Sequence, residues 1–323
     1  MIAFPSGTNR ERLSFGTLAG LLLLLATAPF GSAKAELSPG RAATASLLLP
    51  GLGQANNGEL GKGALHLGFA YANLSEASRL AQRNDYLERD QQVDEDNQVF
   101  YLNRTTYYSH LHARLWLNTH FFSAYDAYRT RRMQLGNAGY NTPVPEQGLG
   151  ELALAPFTPK YLVRPTTFIP LLIPLYSLSH PSQDGWVTVS DDSIGRREMA
   201  GMNTVQYGSV AVGEETFFRG VVNTDLSDRW GPWWGLLASS LLFGAAHSGA
   251  AGTADYGTAA GYGAYLGWLQ QHNDYQLGEV VALHFWWDFL IGLNYLMRPD
   301  ERGDEDRPID TRRFQLMSVG FQF

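Results

Sequence analysis

A succession of apolar segments in the second half of the chain limits what it can fold into. Most are close to the ~20 residues that an α-helix needs to cross a bilayer. They cover residues 161–178, 203–222, 232–251, 257–269 and 278–297. A helix satisfies its own backbone hydrogen bonds, as a segment surrounded by lipid must. The pattern predicts an all-α fold: a polytopic membrane helix bundle with an additional, mostly helical N-terminal region.

Composition leaves a second fold open and excludes several functions. The mean hydropathy of −0.19 is low for a polytopic membrane protein, so the apolar helices could instead form the ordinary core of a soluble or peripheral all-α protein. The net charge of −7 gives no reason to expect nucleic-acid binding. The chain has no cysteine, which excludes thiol nucleophiles, thiolate zinc sites and disulfides.

The N-terminus has the pattern of a signal peptide. Arg10 and Arg12 are basic, residues 18–26 are apolar or small, and Ala33-Lys34-Ala35 supplies a cleavage site. We therefore predict a signal peptide over residues 1–35, although an uncleaved anchor is an open alternative.

Three further divisions follow from composition. Residues 36–150 form the N-terminal helical region with a polar connector, residues 151–300 form the main domain, and residues 301–323 form a charged tail. The boundary lies in the linker at 136–159, which is dense in Gly, Pro, Asn and Thr. Just before it, Arg129, Arg131 and Arg132 form a basic cluster that would suit the cytoplasmic edge of a membrane.

The apolar segment at 203–222 is interrupted by three charged residues, Glu214, Glu215 and Arg219. Each costs about 2.5–3.5 kcal/mol at a bilayer centre on insertion scales, so such charges persist only where they pair or act. Glu215 and Arg219 are four residues apart, which places them on one helix face as a pair. Glu214 is rotated by about 100° from Glu215 and has no local partner.

Two later apolar segments carry polar groups that packing does not require. His247 stands four residues after Phe243, and His284 stands four residues before Asp288, so the last two share a helix face. Taken singly, each could be an ordinary buried residue whose hydrogen bonds serve the packing of the helices. One shared site accounts for all of them together.

The residue types limit the chemistry of such a site. A carboxylate in a site of low dielectric constant can act as a general base on water. One imidazole can hold that water while the other stabilises a developing oxyanion. The same set also suits a zinc site built from Glu214, His247 and His284. No cofactor is firmly predicted: zinc is possible, and the two hydrolytic mechanisms stay open.

The order Glu-Glu-x-x-x-Arg, Phe-x-x-x-His and His-x-x-x-Asp resembles the CPBP family over roughly residues 160–297. That family comprises the type II CAAX prenyl endopeptidases and the bacterial bacteriocin-processing and self-immunity proteins. The resemblance implies a multi-helix intramembrane endopeptidase. It also implies that Glu214 and His247 activate water, that His284 binds the oxyanion, and that Glu215 and Arg219 support the site.

Asp288 departs from the Asn form of the third motif, although bacterial members allow Asp. An ionised carboxylate only accepts hydrogen bonds, so Asp288 could help to bind an oxyanion only if protonated. Otherwise it would orient His284 or approach a metal.

The resulting prediction is a CAAX-protease-like endopeptidase that hydrolyses peptide bonds near the membrane. Its predicted partners are a peptide or membrane-protein substrate and the lipid bilayer, without nucleic acid. Its predicted location is the bacterial inner membrane, as a multi-pass protein. The alternative is a non-catalytic membrane scaffold or immunity protein that retains the same fold.

Overall fold

The computed structural model describes residues 37–90, 104–179, 194–247 and 256–296. Within these ranges every regular element is helical, which confirms the all-α prediction. The predicted signal peptide and the charged tail lie outside the described residues and stay predictions.

The helices are named here in chain order. The N-terminal region contains α1 to α4, at Pro39–Leu48, Leu52–Asn56, Leu60–Asp90 and Arg104–Leu135. Next come α5 to α7, at Leu149–Leu154, Pro159–Leu162 and Pro165–Ser179, with a 3₁₀ turn at Ala155–Phe157 between the first two. The remaining elements are α8, a π-helix called π1, and α9 to α12, at Arg196–Glu214, Glu215–Asn223, Thr224–Trp230, Pro232–His247, Tyr256–His272 and Gly278–Leu296. Across the described ranges, no helix combines the length and the hydrophobicity that crossing a bilayer requires.

Glycine and proline set two of the helix starts. Gly51 precedes α2 with φ of 93°, and a Cβ built on it would lie 2.1 Å from the carbonyl oxygen of Gly63. Only glycine tolerates both the left-handed backbone and that close approach. Gly231 also has φ of 93°, and Pro232 then occupies the first position of α10. Proline suits this position because its missing N–H has no helical partner there.

One hydrophobic cluster joins the N-terminal region to the main domain. Its buried members come from both sides of the predicted boundary at residue 150, and they include Phe122, Tyr125, Tyr128, Leu152, Tyr207, Val221, Leu277 and Phe285. The linker itself contributes Leu152 and Ala155 to this core. The division at residue 150 stays a prediction, but the two sides bury their apolar faces against each other.

Helix α4 runs beside α8 and π1 in the same direction. Near its start, the hydroxyl of Tyr107 donates a 2.5 Å hydrogen bond to Oδ1 of Asn203. Further along, the Phe121 ring stacks on Phe217 with centroids 4.8 Å apart. A long helix from the N-terminal region therefore supports the whole length of the segment that carries the Glu-Glu-x-x-x-Arg motif.

One member of the basic cluster at the end of α4 is held inside the protein, whereas the membrane edge at this place stays a prediction. Arg132 is fully buried, and its Nη1 lies 2.7 Å from Oδ2 of Asp228. Its guanidinium carbon stands 3.6 Å from the centroid of the Tyr140 ring. Arg129 donates to the backbone carbonyl of Glu146. These contacts tie α4 to the following loop and to α9, a role that depends on long-range partners.

A second buried charge organises the N-terminal region. Oδ2 of Asp126 accepts a 3.0 Å hydrogen bond from the Gln54 amide and lies 3.5 Å from Nε2 of His66. Burial alone would raise the pKa of Asp126. The contacts with His66 and Gln54, together with the charge of Lys62, outweigh burial and hold this pKa below its usual value. The carboxylate therefore links α2, α3 and α4.

Candidate active site

The two glutamates of the first motif lie where the helix changes its winding. Glu214 is the last residue of α8, and Glu215 is the first residue of π1. Short π-helical segments occur frequently at functional sites. Spacing alone predicts a regular α-helix here, so the wider turn is a feature that the sequence does not reveal.

Side chains from neighbouring helices satisfy the carbonyl groups of π1. Ser239 Oγ donates a 2.7 Å hydrogen bond to the carbonyl of Phe218. The amide of Gln270 donates at 3.0 Å to the carbonyl of Arg219, which also accepts from the hydroxyl of Thr224. Buried backbone carbonyls need such partners. The wider winding is thus stabilised by α10 and α11.

Glu215 lies at the centre of a fully buried charge cluster. Its Oε1 lies 3.0 Å from Nη1 of Arg219, so the pair predicted from the spacing is present. The same oxygen lies 2.6 Å from Nδ1 of His284 on α12. Arg219 also donates to the carbonyl of Gly263 at 3.1 Å, and its guanidinium covers the Phe243 ring at 4.3 Å. Glu215 and Arg219 therefore join π1 to three other helices.

Glu214 faces the histidine of the second motif. Its Oε2 lies 3.5 Å from Nε2 of His247, and both side chains are buried. Nδ1 of His247 lies 2.6 Å from the carbonyl oxygen of Phe243. A carbonyl only accepts hydrogen bonds, so this contact places a proton on Nδ1 and directs Nε2 towards Glu214. The Phe243 ring also packs on the imidazole, with centroids 4.1 Å apart.

His284 stands between two carboxylates. Its Nδ1 contacts Glu215, and its Nε2 lies 3.4 Å from Oδ2 of Asp288. The two acidic side chains thus contact the imidazole at its two different nitrogens. This position agrees with the possibility that Asp288 orients His284. The six residues predicted from the three motifs thus form two adjoining groups, one around Glu214 and His247 and one around Glu215 and His284.

The matching family model covers the segment that contains all of these residues. Residues 201–290 match the model described as type II CAAX prenyl endopeptidase Rce1-like. Over this segment the chain is similar to the CAAX proteases of the CPBP family, which supports the resemblance carried by the three motifs. The family is one of integral membrane proteases, which act on peptide substrates. Comparisons with curated proteins and with solved structures give no match.

The CAAX protease motifs account for part of the site, and the rest comes from outside the matched segment or between the motifs. Helix α4 supports the first motif although it precedes the match. Asn118 of α4 packs against Gly213, where a Cβ would lie 2.5 Å from the asparagine Oδ1. Ser239 and Gln270 were missed by sequence reasoning. The signal that could have found them is the presence of a polar residue inside an apolar helical segment.

The zinc arrangement raised by the sequence is not met. Among the described residues, no three His, Asp or Glu side chains are placed to hold a metal ion. The reason lies in the orientation of His284. Its two nitrogens are directed at Glu215 and Asp288, so it turns no free lone pair towards Glu214 and His247.

Several buried polar atoms of the site have no hydrogen-bond partner within the part of the chain that the structure describes. They are Glu214 Oε2, Glu215 Oε2, Arg219 Nε and the hydroxyl of Tyr262. The 3.5 Å contact with His247 is thus electrostatic and leaves Oε2 of Glu214 able to accept a hydrogen bond. Unsatisfied groups of this kind are rare inside proteins and point to a function.

Proposed function

We propose that the chain is an endopeptidase that hydrolyses a peptide bond near a membrane, with water activated by Glu214 and His247. The observation that carries the proposal is the approach of Glu214 Oε2 to Nε2 of His247 from two different helices. A buried carboxylate with a free acceptor position and a directed imidazole suit general base catalysis.

The chemistry needs only groups that the chain itself supplies. Glu214 takes a proton from water as the water oxygen bonds to the carbonyl carbon of the substrate. The electron pair of the carbonyl moves onto its oxygen, which becomes the oxyanion. His284 stabilises that charge through Nε2, the nitrogen with the longer contact, and Asp288 orients the ring. The carbon–nitrogen bond then breaks as the proton passes to the leaving amine.

A cleavage assay tests this proposal. Purified wild-type protein in lipid should cleave a membrane-anchored peptide, and a chelating agent should leave the rate unchanged because the proposed mechanism uses no metal. His247→Ala should lower kcat on the order of 10²-fold or more, since the imidazole that faces Glu214 is lost. Wild-type rates in the variant, or no cleavage by wild type across a broad peptide panel, would contradict the proposal. The second result would favour a non-catalytic scaffold.

We further propose that the protein resides in a membrane, which for a bacterial chain is the inner membrane. Helices α7 and α10 support this location because both expose large apolar side chains. Exposed residues of α7 include Phe168, Ile169, Ile173 and Tyr176, and those of α10 include Trp233, Trp234, Leu237 and Leu242. Exposed apolar patches of this extent mark surfaces that contact a protein or a membrane.

Carbonate extraction distinguishes the membrane location from a peripheral one. We expect the full chain to remain in the membrane pellet after alkaline carbonate treatment, since apolar contact with lipid does not depend on charge. A known integral protein and a known peripheral protein in the same membranes serve as controls. Release into the supernatant together with the peripheral control would rule out integral insertion.

A further inference from the structure

Tyr262 brings a hydroxyl group into the site that no sequence motif includes. It lies on α11, between the second and the third motif. Its ring meets the His284 ring edge-on, with centroids 5.9 Å apart and planes at 86°. On the other side it packs on Trp287 at 5.1 Å. The hydroxyl is buried and has no hydrogen-bond partner among the described residues.

The backbone next to Tyr262 is fixed to the first motif. The carbonyl of Gly263 accepts a 3.1 Å hydrogen bond from Arg219. A Cβ at Gly263 would lie 3.2 Å from the Phe243 ring, so α11 is in close contact with α10 at this level. The position of Tyr262 is therefore determined by the same residues that form the charge cluster.

The hydroxyl is buried, and most of the charged groups that act on it are acidic. Asp288, Glu215 and Glu214 all act on it electrostatically, as does the cation of Arg219. A phenol retains its proton in such surroundings and remains a hydrogen-bond donor. A buried donor without a hydrogen-bond partner among the described residues is costly to keep, which indicates that it serves a ligand.

A donor is what the proposed reaction requires at this place. Ionised Glu214, Glu215 and Asp288 can only accept hydrogen bonds. Nδ1 of His247 is engaged by the Phe243 carbonyl and Nδ1 of His284 by Glu215, so the donor that His284 offers is Nε2, which also faces Asp288. The Tyr262 hydroxyl is a second donor beside His284, and it bonds to no acceptor among the described residues.

We propose that Tyr262 is a catalytic residue whose hydroxyl donates a hydrogen bond to the oxyanion of the tetrahedral intermediate. It supplies the donor that an asparagine would provide at position 288 and that the carboxylate of Asp288 cannot. The inference rests on the proposed peptidase function. The bond forms as the carbonyl electron pair moves onto oxygen, and it weakens when the carbonyl is restored and the carbon–nitrogen bond breaks.

The test is Tyr262→Phe, which keeps the ring contacts with His284 and Trp287 and removes only the hydroxyl. We expect kcat for peptide cleavage to fall by about 10²–10³-fold, as when an oxyanion donor is removed elsewhere. KM should change less than about twofold, since the donor acts in the transition state. The melting temperature should not fall, because the lost hydroxyl has no hydrogen-bond partner in the described ranges.

Tyr265→Phe is the matched control on the same helix. It removes a hydroxyl that donates at 2.6 Å to the carbonyl of Thr166, away from the motif residues. This variant should keep the wild-type kcat.

A second measurement uses a peptide phosphonate, a tetrahedral anion that imitates the intermediate. Tyr262→Phe should bind it at least about tenfold more weakly while binding an uncleavable substrate analogue as wild type does. If the wild-type protein cleaves the peptide and Tyr262→Phe has the same kcat and the same phosphonate affinity, this inference is overturned and the proposed function is not. Failure of the wild-type protein to cleave any peptide would overturn the proposed function, and this inference with it.

Discussion

Glu214→Gln is expected to abolish peptide cleavage while the protein folds and accumulates normally. Glutamine has nearly the same volume but cannot take a proton from water, so kcat should fall on the order of 10⁴-fold, the upper range for loss of a general base. Folding should be little affected because Oε2 of Glu214 makes no hydrogen bond with any residue that the structure describes. The measurement is kcat on a membrane-anchored peptide, together with the melting temperature.

Glu198→Gln provides the control for this change on the same helix. Glu198 pairs with Arg104 at 2.8 Å close to the surface, far along α8 from Glu214. Exposed pairs contribute little to stability, so this variant should keep both activity and melting temperature. Cleavage by Glu214→Gln at more than a tenth of the wild-type rate would show that another group activates the water.

Glu215→Ala is expected to destabilise the folded protein strongly, whereas Glu214→Gln is expected to affect the rate. Arg219 and His284 are at most 1% exposed, and both depend on Oε1 of Glu215. Removal of one member of a buried charge cluster leaves the others unpaired, which typically lowers the free energy of unfolding by about 3–5 kcal/mol. Denaturant unfolding of the purified variant in lipid or detergent measures this loss.

The neighbouring Glu214→Gln is the natural comparison for this second prediction. The two substitutions affect adjacent residues of one motif, yet one should affect the rate and the other the folded state. A Glu215→Ala protein with wild-type stability and no activity would contradict the structural role. Glu215 would then act in the chemistry itself.

Much of the candidate site was accessible from the sequence because local spacing is informative in helices. The four-residue interval between Glu215 and Arg219 predicted a pair, and the structure contains it. The interval between His284 and Asp288 predicted a shared face, and their side chains lie 3.4 Å apart. Such intervals are determined by the helix repeat, whatever the rest of the chain does.

Other features of the site were not accessible because they depend on which helices meet. The winding of π1 is supported by Ser239 and Gln270 from two other helices. Arg132 of the basic cluster on α4 is tied inward by Asp228, a contact between distant parts of the chain. The hydroxyl of Tyr262 attracted no notice in the sequence because a tyrosine in an apolar helix is ordinary. Only its unpartnered burial marks it.

The sequence by itself determined the all-α class, the three polar motifs and the residue types available for chemistry, since periodicity and side-chain identity are local properties. The tertiary structure decided the pairing between motifs: Glu214 faces His247, whereas Glu215 holds His284. It also decided that His284 turns both nitrogens to carboxylates rather than towards a shared metal. These outcomes depend on the relative rotation of packed helices, which spacing within one helix does not specify.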